Sequence, residues 1–267
     1  MTGHKSEAAP VRPSATVVLI REGPSDPEIL MVRRRAGDAF GDSYAFPGGV
    51  LDHDESDARA FCQGLTREKA DTILELPGGG LEYYSAAIRE LFEETGILLA
   101  RDAARNWAFA ANPQSASLIQ DLRAQLHDGN LPWTEILRLH KLHIACDALN
   151  YFGFWETPIC RPKRWTTRFF LARVPPGQDA LHDGTEVTDS CWMSAADVLS
   201  VGKGRGMPLP FPTLTSLKKF SEFRTVDELT DWASKHAADG IRKIRPVILT
   251  ENGKTRFVIP GDTDYPE

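Results

Sequence analysis

Short apolar runs alternate along the chain with segments whose apolar residues recur at helical spacing. The runs 17–20 (Val-Val-Leu-Ile) and 29–32 (Ile-Leu-Met-Val) flank the turn-forming Gly23-Pro-Ser-Asp-Pro27 and predict two buried strands. Thr66 stands where an N-cap belongs for a short helix reaching about Leu74, which Pro77 and the three glycines behind it break. A strongly patterned helix is predicted over 82–95. Residues 113–145 read as helical, with Leu118, Leu122 and Leu126 in one stripe and Ile136, Leu137 and Leu139 in another. A strand over 168–174 ends at two prolines, a short helix follows over 195–201, and 226–238 is an amphipathic helix with Asp227 and Glu228 in its first turn. Two β-rich runs, 246–250 and 255–259, flank Asn252-Gly253 and predict a hairpin. Residues 1–13 are polar, carry two prolines and read as a flexible tail. There is no internal repeat, and the mixture of elements places the chain in the α/β or α+β class.

The helix over 82–95 carries the chemistry. At 3.6 residues per turn Glu90, Glu93 and Glu94 share one face, while Ile88, Leu91 and Phe92 lie opposite and must be buried. Gly96 sits at the C-cap position. Three carboxylates within one turn repel one another, and Arg89 lies to one side of them in this projection. Such a face gains most from a divalent cation, and hard oxygen ligands favour Mg²⁺ or Mn²⁺ together with a phosphate substrate.

The string Arg89-Glu-Leu-Phe-Glu-Glu-Thr-Gly-Ile97 matches the second half of the Nudix box, and the chain resembles the Nudix hydrolase superfamily on that ground. The opening of the box is met by Gly49 and, after five residues, Glu55. Between Glu55 and Arg89 stand 33 residues where the family pattern has seven. An alternative opening at 77–82 fails on spacing, because the required Glu and Gly fall on Leu81 and Glu75. The box is therefore split by an insertion. A split box after Phe46-Pro-Gly-Gly-Val-Leu-Asp52 resembles the branch typified by the mammalian peroxisomal coenzyme A diphosphatase, with further similarity at 148–158, 164–170, 208–212 and 246–262. Arg35-Ala36 also fits the start of an element found in coenzyme A hydrolases of related branches, although Phe40 stands where that element carries an Arg.

The resemblance implies an α/β/α sandwich with a mixed β-sheet, formed by a single domain over 14–267 with helical insertions at about 56–80 and 103–147. It implies that Glu90, Glu93 and Glu94, with the Gly48 carbonyl, bind Mg²⁺ or Mn²⁺, that Arg89 orients Glu90, and that Glu90 or Glu186 serves as catalytic base. Arg33, Arg34, Arg35 and Arg168 are expected to bind substrate, although strand alternation lets only some of the three consecutive arginines face one site. Arg164 carries a weaker expectation of the same kind. Tyr83 and Tyr84 are expected to pack the insertion rather than stack on a base. His140 and His143 have no companion at zinc spacing and read as ordinary helix residues. The 113–145 helices are expected to cap the substrate site or extend a homodimer interface. The implied reaction is hydrolysis of a diphosphate, with coenzyme A or acyl-CoA as substrate and 3′,5′-ADP and 4′-phosphopantetheine as products. The alternatives are nucleoside diphosphate sugars, dinucleotides or NADH, or a catalytically silent nucleotide sensor.

Composition narrows the setting. In the 267 residues, 42% are hydrophobic and 25% charged, as in an ordinary globular chain. The formal net charge of -6 disfavours nucleic acid as a partner, and the resemblance implies a small nucleotide-type molecule instead. No apolar run approaches the length of a bilayer span, no secretory signal is apparent, and the last three residues are not a peroxisomal tripeptide, so the expected compartment is the cytoplasm, without a membrane. The 4 cysteines form no CxxC pair and are expected to be reduced thiols.

Overall fold

In a computed structural model the run 17–20 is the middle of a longer strand, β1 (Val11–Arg21), and 29–32 is the middle of β2 (Glu28–Arg34). The structure describes residues 9–35, 42–109, 113–182, 186–203 and 207–266. The chain continues through β3 (Tyr44–Ala45), β4 (Gly48–Val50), α1 (Glu55–Ala58), β5 (Cys62–Gln63), α2 (Arg67–Ile73), α3 (Gly80–Thr95), β6 (Ala100–Arg101), α4 (Pro113–His127), α5 (Trp133–Leu139) and β7 (His143–Ala145). The remainder forms β8 (Asn150–Glu156), β9 (Arg164–Arg173), β10 (Val187–Ser194), α6 (Ala195–Lys203), α7 (Phe211–Phe220), α8 (Val226–Ala238), β11 (Lys243–Ile244), β12 (Val247–Glu251) and β13 (Lys254–Val258).

The main sheet has the order β10-β2-β1-β9-β8-β11, with β3 paired to β2 and β4 paired to β1. It is mixed: β1 runs parallel to β9 from Val11↔Arg164 to Ile20↔Arg173, while β2 and β4 run antiparallel to β1. Alternation along β1 shows why its apolar run is continuous. Val17 and Leu19 enter one hydrophobic cluster with Ile88, Leu91 and Phe92 of α3, whereas Val18 and Ile20 enter a second with Leu217, Leu229 and Ala233 of α7 and α8. A strand covered on both faces needs apolar side chains at every position. The result is the expected layering of helices on both sides of a mixed sheet.

Several expectations need correction. β1 begins at Val11, inside the stretch read as tail, because the three residues 11–13 pair in register with Arg164, Trp165 and Thr166; residues 1–8 lie outside the described ones. The 113–145 segment is helical only through α4 and α5; His143, Ile144 and Ala145 form β7, paired with β5 and β6. A fully buried, β-branched Ile144 at the centre of that strand gains more from sheet packing than from a further helical turn. His143 is thus a strand residue, and His140 caps α5. Leu139 is 62% exposed and leaves the stripe that Ile136 and Leu137 bury. Among the described residues, neither α4 nor α5 lines the main cavity. They pack behind α3: Trp133 lies 6.3 Å from the Phe92 ring and donates its indole N–H to Ser85, and the Arg123 guanidinium binds the Glu93 carbonyl.

Candidate active site

Two glycines set how closely β4 approaches its neighbours, Gly48 against β1 and Gly49 against α3. At Gly48, with φ of +151°, a Cβ would stand 2.4 Å from the Ala15 carbonyl oxygen. At Gly49 a Cβ would stand 2.4 Å from the carboxylate carbon of Glu90. Only a bare backbone allows so close an approach. Behind it, α3 ends as its sequence predicts: Gly96 takes the left-handed conformation at φ of 74°, and its N–H donates to the Phe92 carbonyl at 2.8 Å.

Arg89 is central to the acid cluster, not beside it. Its Nε donates to Glu55 Oε1 at 2.7 Å, Nη1 to Glu93 Oε1 at 2.9 Å and Nη2 to the Val50 carbonyl at 2.9 Å, with Glu90 Oε1 3.0 Å from Nη2. The projection that set it aside counts only α3; a long guanidinium stem bends across the turn to meet β4 and α1. Arg34 is the second cation. It donates to the Gly48 carbonyl and lies 3.2 Å from Glu94 Oε1, while the Gly48 N–H donates to Glu94 Oε2 at 3.0 Å. Glu55 is held further by the Asp52 N–H at 2.6 Å.

Four carboxylates (Glu55, Glu90, Glu93, Glu94) against two guanidiniums leave a formal excess of two negative charges. The Glu90 carboxyl is held up at about 8: burial raises it most, Arg89 opposes, Glu93 and Glu94 add to the rise, and Arg34 opposes it too. Burial also raises Glu55 against the pull of Arg89. Burial alone would lower the guanidinium of Arg89, but Glu90, Glu55 and Glu93 overcome it and hold the group above its ordinary range.

The cluster forms one end of a cavity of about 780 Å³, a size suited to a small-molecule ligand. Ser14 and Thr16 of β1 and Thr167 and Phe169 of β9 line it, and Glu186 reaches it from the segment before β10. Of the three consecutive arginines, only Arg34 faces it. Arg33 turns outward to Asp42 at 2.6 Å, and Arg35 is exposed, its backbone N–H bound to the Glu186 carbonyl; Ala36 and Phe40 lie outside the described residues. Arg168 points to the opposite face of β9, buried between the Tyr83 and Phe154 rings and donating to the Leu74 carbonyl at 2.7 Å. It braces the first insertion, and the substrate contact expected of it does not fit this placement. Arg164 is buried too, paired with Glu156 at 2.7 Å and bound to backbone carbonyls. Tyr84, on α3, packs 4.8 Å from Phe170 of β9 in the core.

Sequence reading missed the aromatic end of the cavity, formed by Trp155, Trp165, Phe211 and Phe257, and the two cations Arg161 and Lys163 on its wall. Its only signal was alternation in the strands flanking 157–163, weak because β8 is largely buried on both faces.

The family model described as the NUDT19 Nudix domain matches residues 60–220, more than half of the chain. The chain belongs to the NUDT19 Nudix family. Its relatives include proteins named acyl-coenzyme A diphosphatase NUDT19: that of Xenopus laevis is 22% identical over 91% of this chain and 72% of its own, and that of Homo sapiens 26% identical over 74% and 54%. A Nudix hydrolase crystal structure from Alicyclobacillus acidocaldarius superposes with a TM-score of 0.69 at 26% identity, covering 84% of this chain and 96% of that one. As a family member the chain is a hydrolase of phosphorus-containing acid anhydrides, and small nucleotide-type molecules are the family's substrates. Among the described residues no helix is long and apolar enough to cross a membrane.

Proposed function

We propose that this chain hydrolyses the diphosphate of coenzyme A or an acyl-CoA, releasing 3′,5′-ADP and the corresponding 4′-phosphopantetheine. The observation that carries this reading is an acid cluster in which four carboxylates meet only two guanidiniums on the wall of a cavity of about 780 Å³. The names of the NUDT19 relatives supply the substrate class.

The residues present suit a divalent cation. Glu90, Glu93 and Glu94 with the Gly48 carbonyl are hard oxygen donors, and the charge excess matches Mg²⁺ or Mn²⁺. Among the described residues no three acidic side chains stand together as a ready ion cage; Arg89 and Arg34 bind the carboxylates instead. When bound, a divalent ion supplies charge neutralisation at the phosphate oxygens. Arg89 acts as a positioning residue, gripping Glu55, Glu90 and Glu93 at once. Arg34, beside Glu94 and facing the cavity, is placed to receive the negative charge of a phosphate. We assign proton removal from the attacking water to Glu186 ahead of Glu90, because a carboxylate engaged in holding a cation is a weaker proton acceptor. Water adds to one phosphorus, the bridging P–O bond breaks, and each half leaves as a phosphate monoester.

The test is turnover of coenzyme A, acyl-CoA, nucleoside diphosphate sugars, dinucleotides and NADH with Mg²⁺ or Mn²⁺, by the wild type and by Glu93→Gln, Glu94→Gln and Glu186→Gln. We expect coenzyme A substrates to lead. The first two variants should lose metal response, whereas Glu186→Gln should lose kcat and keep metal affinity. Full turnover in Glu93→Gln and Glu94→Gln would remove the metal assignment, and inactivity of the wild type on every substrate would favour a nucleotide sensor.

A further inference from the structure

The end of the cavity away from the acids has its own chemistry. Register places Val50, Ser14, Thr167 and Trp155 in one row across β4, β1, β9 and β8. Trp155 therefore lies two strands, about 10 Å, beyond β1, within reach of a nucleoside whose diphosphate sits at the acids. Phe211 and Phe257 stack with centroids 4.7 Å apart, and Trp155 meets Phe211 edge-on at 6.0 Å. The turn 157–163 adds Arg161 and Lys163, both exposed and both lining the cavity.

These two cations differ from the other charges around the cavity. Arg34 is matched by Glu94, and Glu156 by Arg164, Lys243 and Arg245. Among the described residues the side chains of Arg161 and Lys163 form no ion pair. An aromatic-walled lobe with two unmatched cations suits a flat ring that carries a phosphate of its own. An alkyl chain would use the rings and leave the cations idle, and so would a neutral sugar stacked on them. The proposed reaction places the scissile diphosphate at the acids, which leaves the cations for a second, separate phosphate.

We propose that this lobe binds the 3′-phosphoadenosine end of the substrate, with the purine among Trp155, Trp165, Phe211 and Phe257 and the ribose 3′-phosphate at Arg161 and Lys163. The proposal rests on the coenzyme A reading above and deepens it: the 157–163 turn separates coenzyme A from nucleotides that lack a 3′-phosphate.

The experiment compares binding of 3′,5′-ADP and 5′-AMP to metal-free protein by calorimetry, alongside kcat/KM for coenzyme A and 3′-dephospho-coenzyme A. The wild type should favour 3′,5′-ADP by about ten-fold, as expected for a charge-assisted contact. Arg161→Ala/Lys163→Ala should bring both preferences near unity, Arg161→Glu/Lys163→Glu should reverse them, and Arg161→Lys/Lys163→Arg should restore them. A wild type that binds the two nucleotides equally, or a preference untouched by charge reversal, would overturn the assignment. Because the binding arm needs no turnover, it reads the lobe even if no coenzyme A substrate is hydrolysed, an outcome that would strike the proposed reaction alone.

Discussion

Replacing Arg89 with Met keeps most of its apolar stem and removes the cation on which three carboxylates converge. The guanidinium is only 8% exposed, and Glu55 and Glu90 are 1% and 10% exposed at the side chain, so water screens little of the loss. Four acids would then face Arg34 alone, raising the formal excess from two negative charges to three. Removing one partner of a buried charge network typically costs about 3–5 kcal/mol, and Glu93 and Glu90 both lose their shared partner here. We expect a loss in that range near neutral to alkaline pH, or roughly 2–4 °C of Tm for each kcal/mol in a protein of this size. The sign of the pH dependence follows from Glu90. Its folded-state value, about 8, lies above the ordinary carboxylate value, so its contribution to stability is present below the ordinary value and is lost as pH rises through about 8. Without Arg89 that loss steepens. Urea unfolding of the wild type and Arg89→Met without metal, followed by circular dichroism at about pH 5.5 and about pH 8.5, measures both quantities. A cost below about 1 kcal/mol at the higher pH, or one equal at the two values, would refute the argument that charge rather than packing makes Arg89 necessary.

Two further outcomes follow from the same geometry. Metal binding requires ionised carboxylates, so Mg²⁺ should raise Tm more at about pH 8.5 than at about pH 6, and equal shifts would count against Glu90 as a ligand. Gly49→Ala places a methyl 2.4 Å from the Glu90 carboxylate, and displacement on the ångström scale should lower kcat/KM by about 100-fold while the sheet remains folded; near-wild-type turnover would show that Glu90 has room to move.

The layers and the acidic face were legible in the sequence because they rest on local rules. Short continuous apolar runs identify β1 and β2, the period-3.6 pattern identifies α3 and α8, and a capping box at Thr225 and Glu228 starts α8 where the pattern begins. The Asn252 and Gly253 hairpin turn follows from their positive φ of 50° and 74°. What escaped depends on contacts distant in sequence. Arg89 looks peripheral on a helical wheel because Glu55 and Val50, its other partners, belong to segments 34 and 39 residues earlier. Arg168 looks like a phosphate ligand until strand parity sends it behind the sheet, where two rings and one carbonyl receive it. The aromatic lobe draws on β8, β9, α7 and β13, four elements whose proximity no local pattern encodes.

The long segment between Glu55 and Arg89 is pinned at both ends. Lengthening the segment between Glu55 and Arg89 from seven residues to 33 raises the loop-closure entropy by (3/2)RT ln(33/7), about 1.4 kcal/mol. The Arg89–Glu55 ion pair closes the front of the loop, and Glu55 is fixed again by the Asp52 N–H, so the first acid of the box meets its partner without the usual short tether. At the back, α2 packs so tightly on the start of α3 that a Cβ at Gly80 would stand 2.6 Å from the Ala70 carbonyl carbon, and the Gly80 N–H donates to Asp71 at 2.6 Å. Arg168, driven between Tyr83 and Phe154 with its guanidinium on the Leu74 carbonyl, ties the same insertion to β9. Each contact is of the order of the entropy it offsets. Arg168 therefore serves the acid cluster at a distance: it holds the insertion, the insertion seats the start of α3, and α3 presents Glu90, Glu93 and Glu94 to the cavity.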